Sequence, residues 1–397
     1  MRCAASGPRS APGILYARVL SIGAGCIMKI VHVVNVRWFN ATAWYGVWLA
    51  GLMRAAGHDC LVLGLEATEP LLRAQALGLP CQALELNTRT PQGIVRLYFR
   101  LKRLLRDFAP DIVNCHRGEA FVLWGLLRRQ ARTFRLIRTR GDRRMPRANL
   151  ANRWLHADVA DAVIVTTRDA EGYCREGLGV PAARVHCIPG GVDTRAFRFD
   201  AAGRERVRHE FGFGAESRVI GLLGRFDRVK GQRELIAALA ALRERRAVDD
   251  VRLLLIGYDT ALRRQEIEAW VRDYGLDARC AITGRRDDVA ACISALDIGV
   301  VASLGSEAIA RAALEIMACG RPLVSTAVGV MPDLLSAEAL VPPGDVQSLS
   351  ARLERVLDDA GFASRLLSEQ QKRIAGLTAE HFLEQTLAVY QDCLQRA

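Results

Sequence analysis

Val219-Ile220-Gly221-Leu222-Leu223-Gly224-Arg225-Phe226-Asp227-Arg228-Val229-Lys230-Gly231 reads as a strand, a basic loop and the start of a helix. The apolar run up to Leu223 has the unbroken character of a parallel strand covered on both faces. Gly224 ends it, and a helix is expected to open near Gly231. Ligands of open α/β sheets bind beyond the carboxyl ends of strands, where the free amides of a helix N-terminus favour anions. Arg225 and Lys230 add fixed positive charge suited to two adjacent phosphates. The spacing is neither a Walker A loop nor a G-x-G-x-x-G fingerprint, so by itself it also fits a solvated basic turn.

The same alternation extends in both directions. Downstream, strands are expected at 251–256, 279–283, 297–302 and 322–326, with helices at 231–246, 261–274, 287–295 and 308–318. Two further helices are expected, at about 346–374 with a break near Gly361 and at 378–395. Upstream, strands are expected at 30–35, 60–64, 111–115, 135–139 and 162–166, with helices that include Trp44–Ala56 and Gly93–Phe108. Ile188-Pro189-Gly190-Gly191-Val192-Asp193 interrupts the pattern. Strands alternating with helices argue for parallel sheets. The reading is α/β, two Rossmann-like doubly wound domains facing across a cleft. Residues 28–195 are read as the first domain, 196–375 as the second, and 376–397 as a helix returning to the first.

The chain has 397 residues, half of them apolar and a quarter charged. That composition excludes disorder and collagen-like repeats. No apolar run reaches the ~18 residues of a spanning helix. The net charge is +12, and residues 91–160 carry sixteen basic residues against five acidic ones. Only four of the 55 basic residues are Lys, so an Arg is the default cation and a Lys says slightly more. Eleven cysteines, none in a zinc-like spacing, suggest reduced, buried thiols in a cytosolic protein. Residues 1–27 contain Arg2, Arg9, Arg18 and a short apolar stretch broken by Gly23 and Gly25. Met28-Lys29-Ile30-Val31-His32-Val33-Val34 reads as a start followed by a buried strand, so 1–27 is expected to be a disordered or mis-started leader.

A second candidate site is Ser306-Glu307-Ala308-Ile309-Ala310-Arg311-Ala312-Ala313-Leu314-Glu315. If both carboxylates were helical, eight positions would set them about 80° apart and about 12 Å along the axis. Glu307 and Glu315 would then grip opposite ends of an extended ligand, with first-turn amides between them. The alternative is that Arg311 neutralises Glu315 one turn away while Glu307 is solvated.

Together these residues resemble the retaining glycosyltransferases of family 4 (glycosyl transferases group 1), which have the GT-B fold. The resemblance is carried by Gly224-Arg225 with Lys230-Gly231, by Glu307 and Glu315, and by Ala318-Cys319-Gly320-Arg321-Pro322 with Thr326 and Gly329. Gly190-Gly191-Val192-Asp193 and Pro342-Pro343-Gly344-Asp345 complete it. The resemblance implies that Arg225 and Lys230 hold the nucleotide diphosphate, Glu307 contacts the donor sugar and Glu315 the ribose. It also implies a cleft position for His116, at the end of Asp111-Ile112-Val113-Asn114-Cys115-His116, near the transferred sugar. His116 and Glu307 are thus the candidate catalytic residues.

Three departures stand out. The Gly-Gly loop usual after the first strand is absent, and Gly46 alone lies near its place. The usual Gly-Phe-Gly after the first Glu is Ala308-Ile309-Ala310, which narrows the space beside the donor sugar and makes Ile309 and Ala310 donor-side candidates. Arg138-Thr139-Arg140-Gly141-Asp142-Arg143-Arg144 could read an anionic acceptor, with Arg140, Asp142 and Arg143 as candidates. Asp287-Asp288 is read as helix capping rather than a metal pair, and Trp38, Trp44 and Trp48 as core or acceptor wall.

The function expected is transfer of a hexose or heptose from a nucleotide sugar to a glycan or lipid-linked acceptor, with retention. No cofactor and no metal are expected. A role in cell-envelope polysaccharide or lipopolysaccharide synthesis would place the enzyme in the cytoplasm, docked on the anionic inner-membrane face by its basic half. Arg96, Arg100, Arg103 and Arg106 lie on one helical arc beside candidate apolar positions Leu97, Phe99, Leu101, Leu104 and Leu105. The rivals are a nucleotide-sugar epimerase, which needs no acceptor, and a basic nucleic-acid-binding protein, which needs no nucleotide sugar. No nucleic-acid partner is expected for a transferase.

Overall fold

A computed structural model describes residues 26–142, 144–245, 250–305 and 307–396. The leader through residue 25, Arg143 and Ser306 therefore lie outside the described residues. The chain divides into two compact units, one running to Gly190 and resuming at Glu380, the other Gly191–Ala379.

In the first unit seven parallel strands are β1 (Lys29–Val34), β2 (Asp59–Gly64), β3 (Cys81–Ala83), β4 (Ile112–Cys115), β5 (Arg135–Arg140), β6 (Ala162–Val165) and β7 (Val185–Cys187). Their order is β3-β2-β1-β4-β5-β6-β7. The second unit has six: β8 (Arg218–Leu223), β9 (Val251–Ile256), β10 (Cys280–Ile282), β11 (Ile298–Val301), β12 (Leu323–Thr326) and β13 (Leu340–Val341). Their order is β10-β9-β8-β11-β12-β13. In each unit the order reverses direction beside the first strand, between β1 and β4 and again between β8 and β11. Those are the switch points where chains leave the sheet on opposite sides and open a crevice. β3, β7 and β13 were not expected. With two or three residues each, they are too short to show a pattern.

The central strands are buried almost end to end, Ile30, Val31, Val33 and Val34 in β1 and Val219 and Ile220 in β8 being wholly inaccessible. Helix Ala41–Ala55 begins where Asn40 accepts a hydrogen bond from the Ala43 amide at 3.0 Å. Helix Pro91–Phe108 begins at Thr90, with Pro at its first turn. That helix turns Leu97, Leu101 and Leu104 into the core, so three of the five apolar positions expected beside its arginines face inward. Of the other two, Leu105 is half-buried against the core and Phe99 is 62% exposed, with Val95, outside the expected set, exposed beside it at 56%.

Three further expectations are corrected. The helix expected over 308–318 starts at Arg311, so Glu307 is not helical and the 80° separation does not apply. The break near Gly361 falls instead at Asp359, whose carboxylate caps the next helix by accepting from the Phe362 amide at 2.8 Å. Asp288 stands at a helix start but makes no capping bond; Arg286 and Arg206 take its carboxylate.

The last helix, Ala379–Gln395, supplies Phe382 and Tyr390 to the core of the first unit. Phe382 packs edge-on to Tyr45 and stacks on Trp48, with centroids 4.7 and 5.4 Å apart. Trp44 stacks on Trp48, whereas Trp38 is 75% exposed. Asn114 on β4 donates to the Tyr390 hydroxyl at 2.6 Å in a buried setting. Tyr390→Phe should leave that amide without its partner. Urea denaturation should show a loss of about 1–3 kcal/mol; an unchanged midpoint would mean the bond contributes nothing net.

Candidate functional site

Two loops meet at the second unit's switch point, one after β8 and one after β11. Gly231 closes the first with φ +72°, and a Cβ there would fall on the Ala302 carbonyl of the second. The Leu304 amide donates to the Val229 carbonyl at 2.8 Å, which ties the loops together. This close approach brings Lys230 Nζ within 2.5 Å of Glu307 Oε1. Ser303 Oγ donates to the same oxygen at 2.5 Å, and Thr326 Oγ1 donates to the Ser303 carbonyl at 2.6 Å. Behind them the Val330 amide donates to the Glu307 carbonyl at 2.8 Å, and Gly329, at φ +57°, leaves no room for a side chain there.

Glu307 is therefore neither helical nor solvated; it is 7% exposed, with Oε1 held by both Lys230 and Ser303. Arg225 is about half exposed and pairs with Asp227 at 2.7 Å, so its guanidinium stands at the solvent side of the loop. Glu315 is buried and pairs with Arg311 at 2.6 Å, the neutralising partner weighed from the sequence. Burial pushes its carboxyl above the usual range despite that arginine. Ile309 is wholly buried, and Ala310 takes the left-handed conformation at φ +50°. Ala310 thus keeps a backbone shape that glycine would make easy.

At the first unit's switch point His116 follows β4, and its amide donates to the Val33 carbonyl at 3.0 Å. Its Nε2 lies 3.2 Å from Nδ1 of His32 on β1. Both rings are inaccessible to solvent. Gly46 on helix Ala41–Ala55 makes room for them: a Cβ would sit 3.0 Å from His116 Cδ2. Gly46 thus adjoins His116. Burial holds His32 down to about 3. Burial, the His32 ring and Arg138 hold His116 well below the ordinary imidazole value. The pair is neutral, one nitrogen donating to the other.

Beside this pair, Arg140 ends β5 and is buried, while Asp142 pairs with Arg117 at 3.4 Å and with Arg138 at 3.5 Å.

A family model described as Glycosyltransferase Family 4 matches residues 47–196, and one described as Glycosyl transferases group 1 matches residues 217–359. The chain belongs to the group 1 glycosyl transferases, family 4. Among its curated relatives, a 2-deoxystreptamine glucosyltransferase of Streptomyces kanamyceticus is 31% identical over 54% of this chain and 55% of that one. A D-inositol 3-phosphate glycosyltransferase of Corynebacterium jeikeium is 28% identical over 48% of this chain and 47% of its own length. The chain thus matches about half the length of these two relatives. A solved glycosyltransferase from Rickettsia africae superposes with a TM-score of 0.82 at 15% identity, covering 94% of this chain and 100% of that one. HepE of Anabaena in complex with UDP and glucose gives 0.77 at 20%, covering 92% and 100%. These structural likenesses fix the GT-B fold of this family 4 member.

Sequence reading missed several residues that build these sites. Ser303 bonds Glu307, yet a lone hydroxyl at an apolar strand end carries no pattern; Thr326, named for the resemblance alone, had no role assigned to it until its bond to the Ser303 carbonyl. His32 sits in a strand of aliphatics, where a single polar residue is the one available signal. Asn35 follows β1 and donates to Asn87 at 2.8 Å and to Glu119 at 3.2 Å; nothing in its spacing marks it.

The neutral histidine pair gives this transferase fold a stability signature. Unfolded, each ring protonates below its ordinary value near 6.5; folded, it does not. Stability is therefore full above pH 6.5 and falls as the pH drops toward the folded value. Down to pH 5 the loss is about 2 kcal/mol for His32, and His116 adds to it in the same direction. His32→Asn, whose amide nitrogen can stand in for Nδ1, should remove one of the two shares. Denaturant midpoints at pH 7 and pH 5 check this, and an identical loss in both proteins would refute it.

Proposed function

We propose that this protein transfers a hexose or heptose from a nucleotide sugar to a glycan or lipid-linked acceptor, with retention of configuration. The observation that carries the reading is the Lys230–Glu307 contact at a switch point, where a cation for phosphate and a carboxylate for sugar hydroxyls share one loop pair. A named glucosyltransferase among the relatives and UDP with glucose bound to HepE support the donor class. Lys230, with Arg225 at the solvent edge, neutralises charge as it develops on the departing diphosphate. Glu307, held at one oxygen by Lys230 and Ser303, orients the sugar, and Glu315 accepts from the ribose. His116 takes the contact with the transferred sugar that the family resemblance implies. Attack by the acceptor hydroxyl comes from the leaving-group face, and no resident metal is needed.

The experiment is a thermal-shift screen of nucleotide sugars, run in EDTA. A ligand at 100 times its dissociation constant adds about 2.7 kcal/mol, enough to see. Lys230→Ala should weaken the best binder ten-fold or more, since a charge-assisted bond contributes ~1.5–3 kcal/mol. Natural affinity in that variant, or turnover abolished by EDTA and restored by a metal, would sink the reading. An epimerase would convert the donor without any acceptor.

The finer setting we propose is synthesis of envelope polysaccharide or lipopolysaccharide on the cytoplasmic face of the inner membrane. No helix among the described residues is long and apolar enough to cross a membrane. The outer face of helix Pro91–Phe108 suits reversible docking: Val95 and Phe99 are exposed, and the side chains of Arg103 and Arg106 are 76% and 75% exposed. Basic residues near anionic lipid contribute about 1 kcal/mol each. Flotation should show binding to anionic vesicles that fades with salt and is lost in Arg103→Glu/Arg106→Glu. Equal binding to neutral vesicles, or none at low salt, would refute docking.

A further inference from the structure

Two arginines on one face of β5 are buried at the carboxyl edge of the first sheet, Arg138 at 1% and Arg140 at 5% exposure. They are bonded very differently. Arg138 donates to the carbonyls of Cys115 and Thr139 and faces Asp142, so it laces strand ends together. Among the described residues Arg140 donates once, from Nη2 to the Arg144 carbonyl at 2.7 Å, and pairs with no carboxylate. Its Nε is buried without a partner, as is the Nε of Arg138. Arg208, equally buried in the second unit, shows what a structural arginine looks like here. It bonds Asp297 and the carbonyls of Ala295, Gly214 and Ser217.

A buried guanidinium without a counter-charge is costly, because desolvation is left uncompensated. The cost is visible in its neighbours. Burial lowers the value of Arg140, with Asp142 opposing. His156 is held down to about 4, by burial first and by the charges of Arg138 and Arg140 in addition. Arg117, Arg138 and Arg140 outnumber Glu119 and Asp142 in this cluster, and Asp142 is already shared by two of the arginines. Position adds chemistry to the imbalance. β5 pairs with β4, one strand from the switch point, so Arg140 ends at the edge where ligands of such sheets bind.

We infer that Arg140, with the Nε of Arg138 beside it, is a seat for an oxyanion, a phosphate or a carboxylate carried by the acceptor. A guanidinium fork matches either group with two parallel bonds. Asp142 occupies the neighbouring guanidinium while the seat is empty and competes with the incoming anion. Assigning the anion to the acceptor rests on the transfer reading above; the seat itself does not.

The test follows the melting of the full chain titrated with inorganic phosphate and, separately, with acetate, at constant ionic strength. One of the two should stabilise saturably, and which one names the acceptor's group. The titration is run in Lys230→Ala, which removes the donor-side cation that could itself take phosphate; the response should persist there, and Arg140→Gln added to that variant should abolish it. Asp142→Asn, which removes the competing carboxylate, should tighten the anion at least three-fold, and it decides the matter should Arg140→Gln not fold. An equal response when Arg140→Gln is added to Lys230→Ala, no response in Lys230→Ala itself, no tightening in Asp142→Asn, or no response to either anion would overturn the seat. No nucleotide enters the measurement, so failure of nucleotide-sugar binding would sink the transfer reading and leave this result standing.

Discussion

Strands β1 and β4 are hydrogen-bonded neighbours, as are β8 and β11, yet each pair is separated in sequence by two intervening strands and their helices. Parallel pairing with right-handed crossovers forces the chain to leave the two strands on opposite sides of the sheet. The carboxyl ends at these two places are therefore the ones not roofed by their own connections. The two closest pairs of candidate groups follow from that constraint. His32 and His116 belong to one such place, and Lys230 and Glu307 to the other. The apolar runs that make the strands thus decide where the polar chemistry stands, without themselves taking part in it.

What stands at the second place is an ion pair that needs its surroundings. Lys230 retains some exposure and Glu307 very little, with side chains 22% and 8% accessible. Buried pairs gain little net stability because desolvation offsets attraction. Here extra hydrogen bonds tip the balance: Ser303 donates to the carboxylate, and Thr326 fixes Ser303 in turn. The arrangement holds the lysine in place at small further entropic cost, since its partner already orders it. A phosphate drawn to Lys230 would meet a cation whose position is preset and whose charge is half-compensated. Glu307 would then have an oxygen released for a sugar hydroxyl.

The sequence made the large features legible and hid the small ones, for physical reasons. Runs such as Val219–Leu223 and the glycines that end them announce parallel strands, because burial on both faces demands continuous apolar character. The Lys230 and Glu307 loops could be placed because a strand end and a helix start bracket each. The start of the helix after Glu307 was misplaced by three residues, because Ala308, Ile309 and Ala310 are as compatible with a helix as with the turn they form. Asp359 took the break assigned near Gly361, since a capping carboxylate stops a helix as firmly as a glycine does. The pairing of His32 with His116 depends on a register between strands 84 residues apart in sequence, which no local pattern carries.

Ala310 shows which of these features the site itself requires. An L-residue in the left-handed region costs roughly 1–2 kcal/mol, and glycine would avoid it. The chain nevertheless keeps Ala310 at φ +50°. The conformation is imposed from outside: the Val330 amide holds the Glu307 carbonyl, Gly329 lets the two backbones touch, and Ile309 is wholly buried. Relaxing Ala310 would swing that buried side chain out and pull Glu307 from Lys230. The strain is tolerated because it is smaller than the loss of an apolar side chain's burial together with a bonded, buried charge. The turn's shape, more than the residue types within it, is what places the carboxylate.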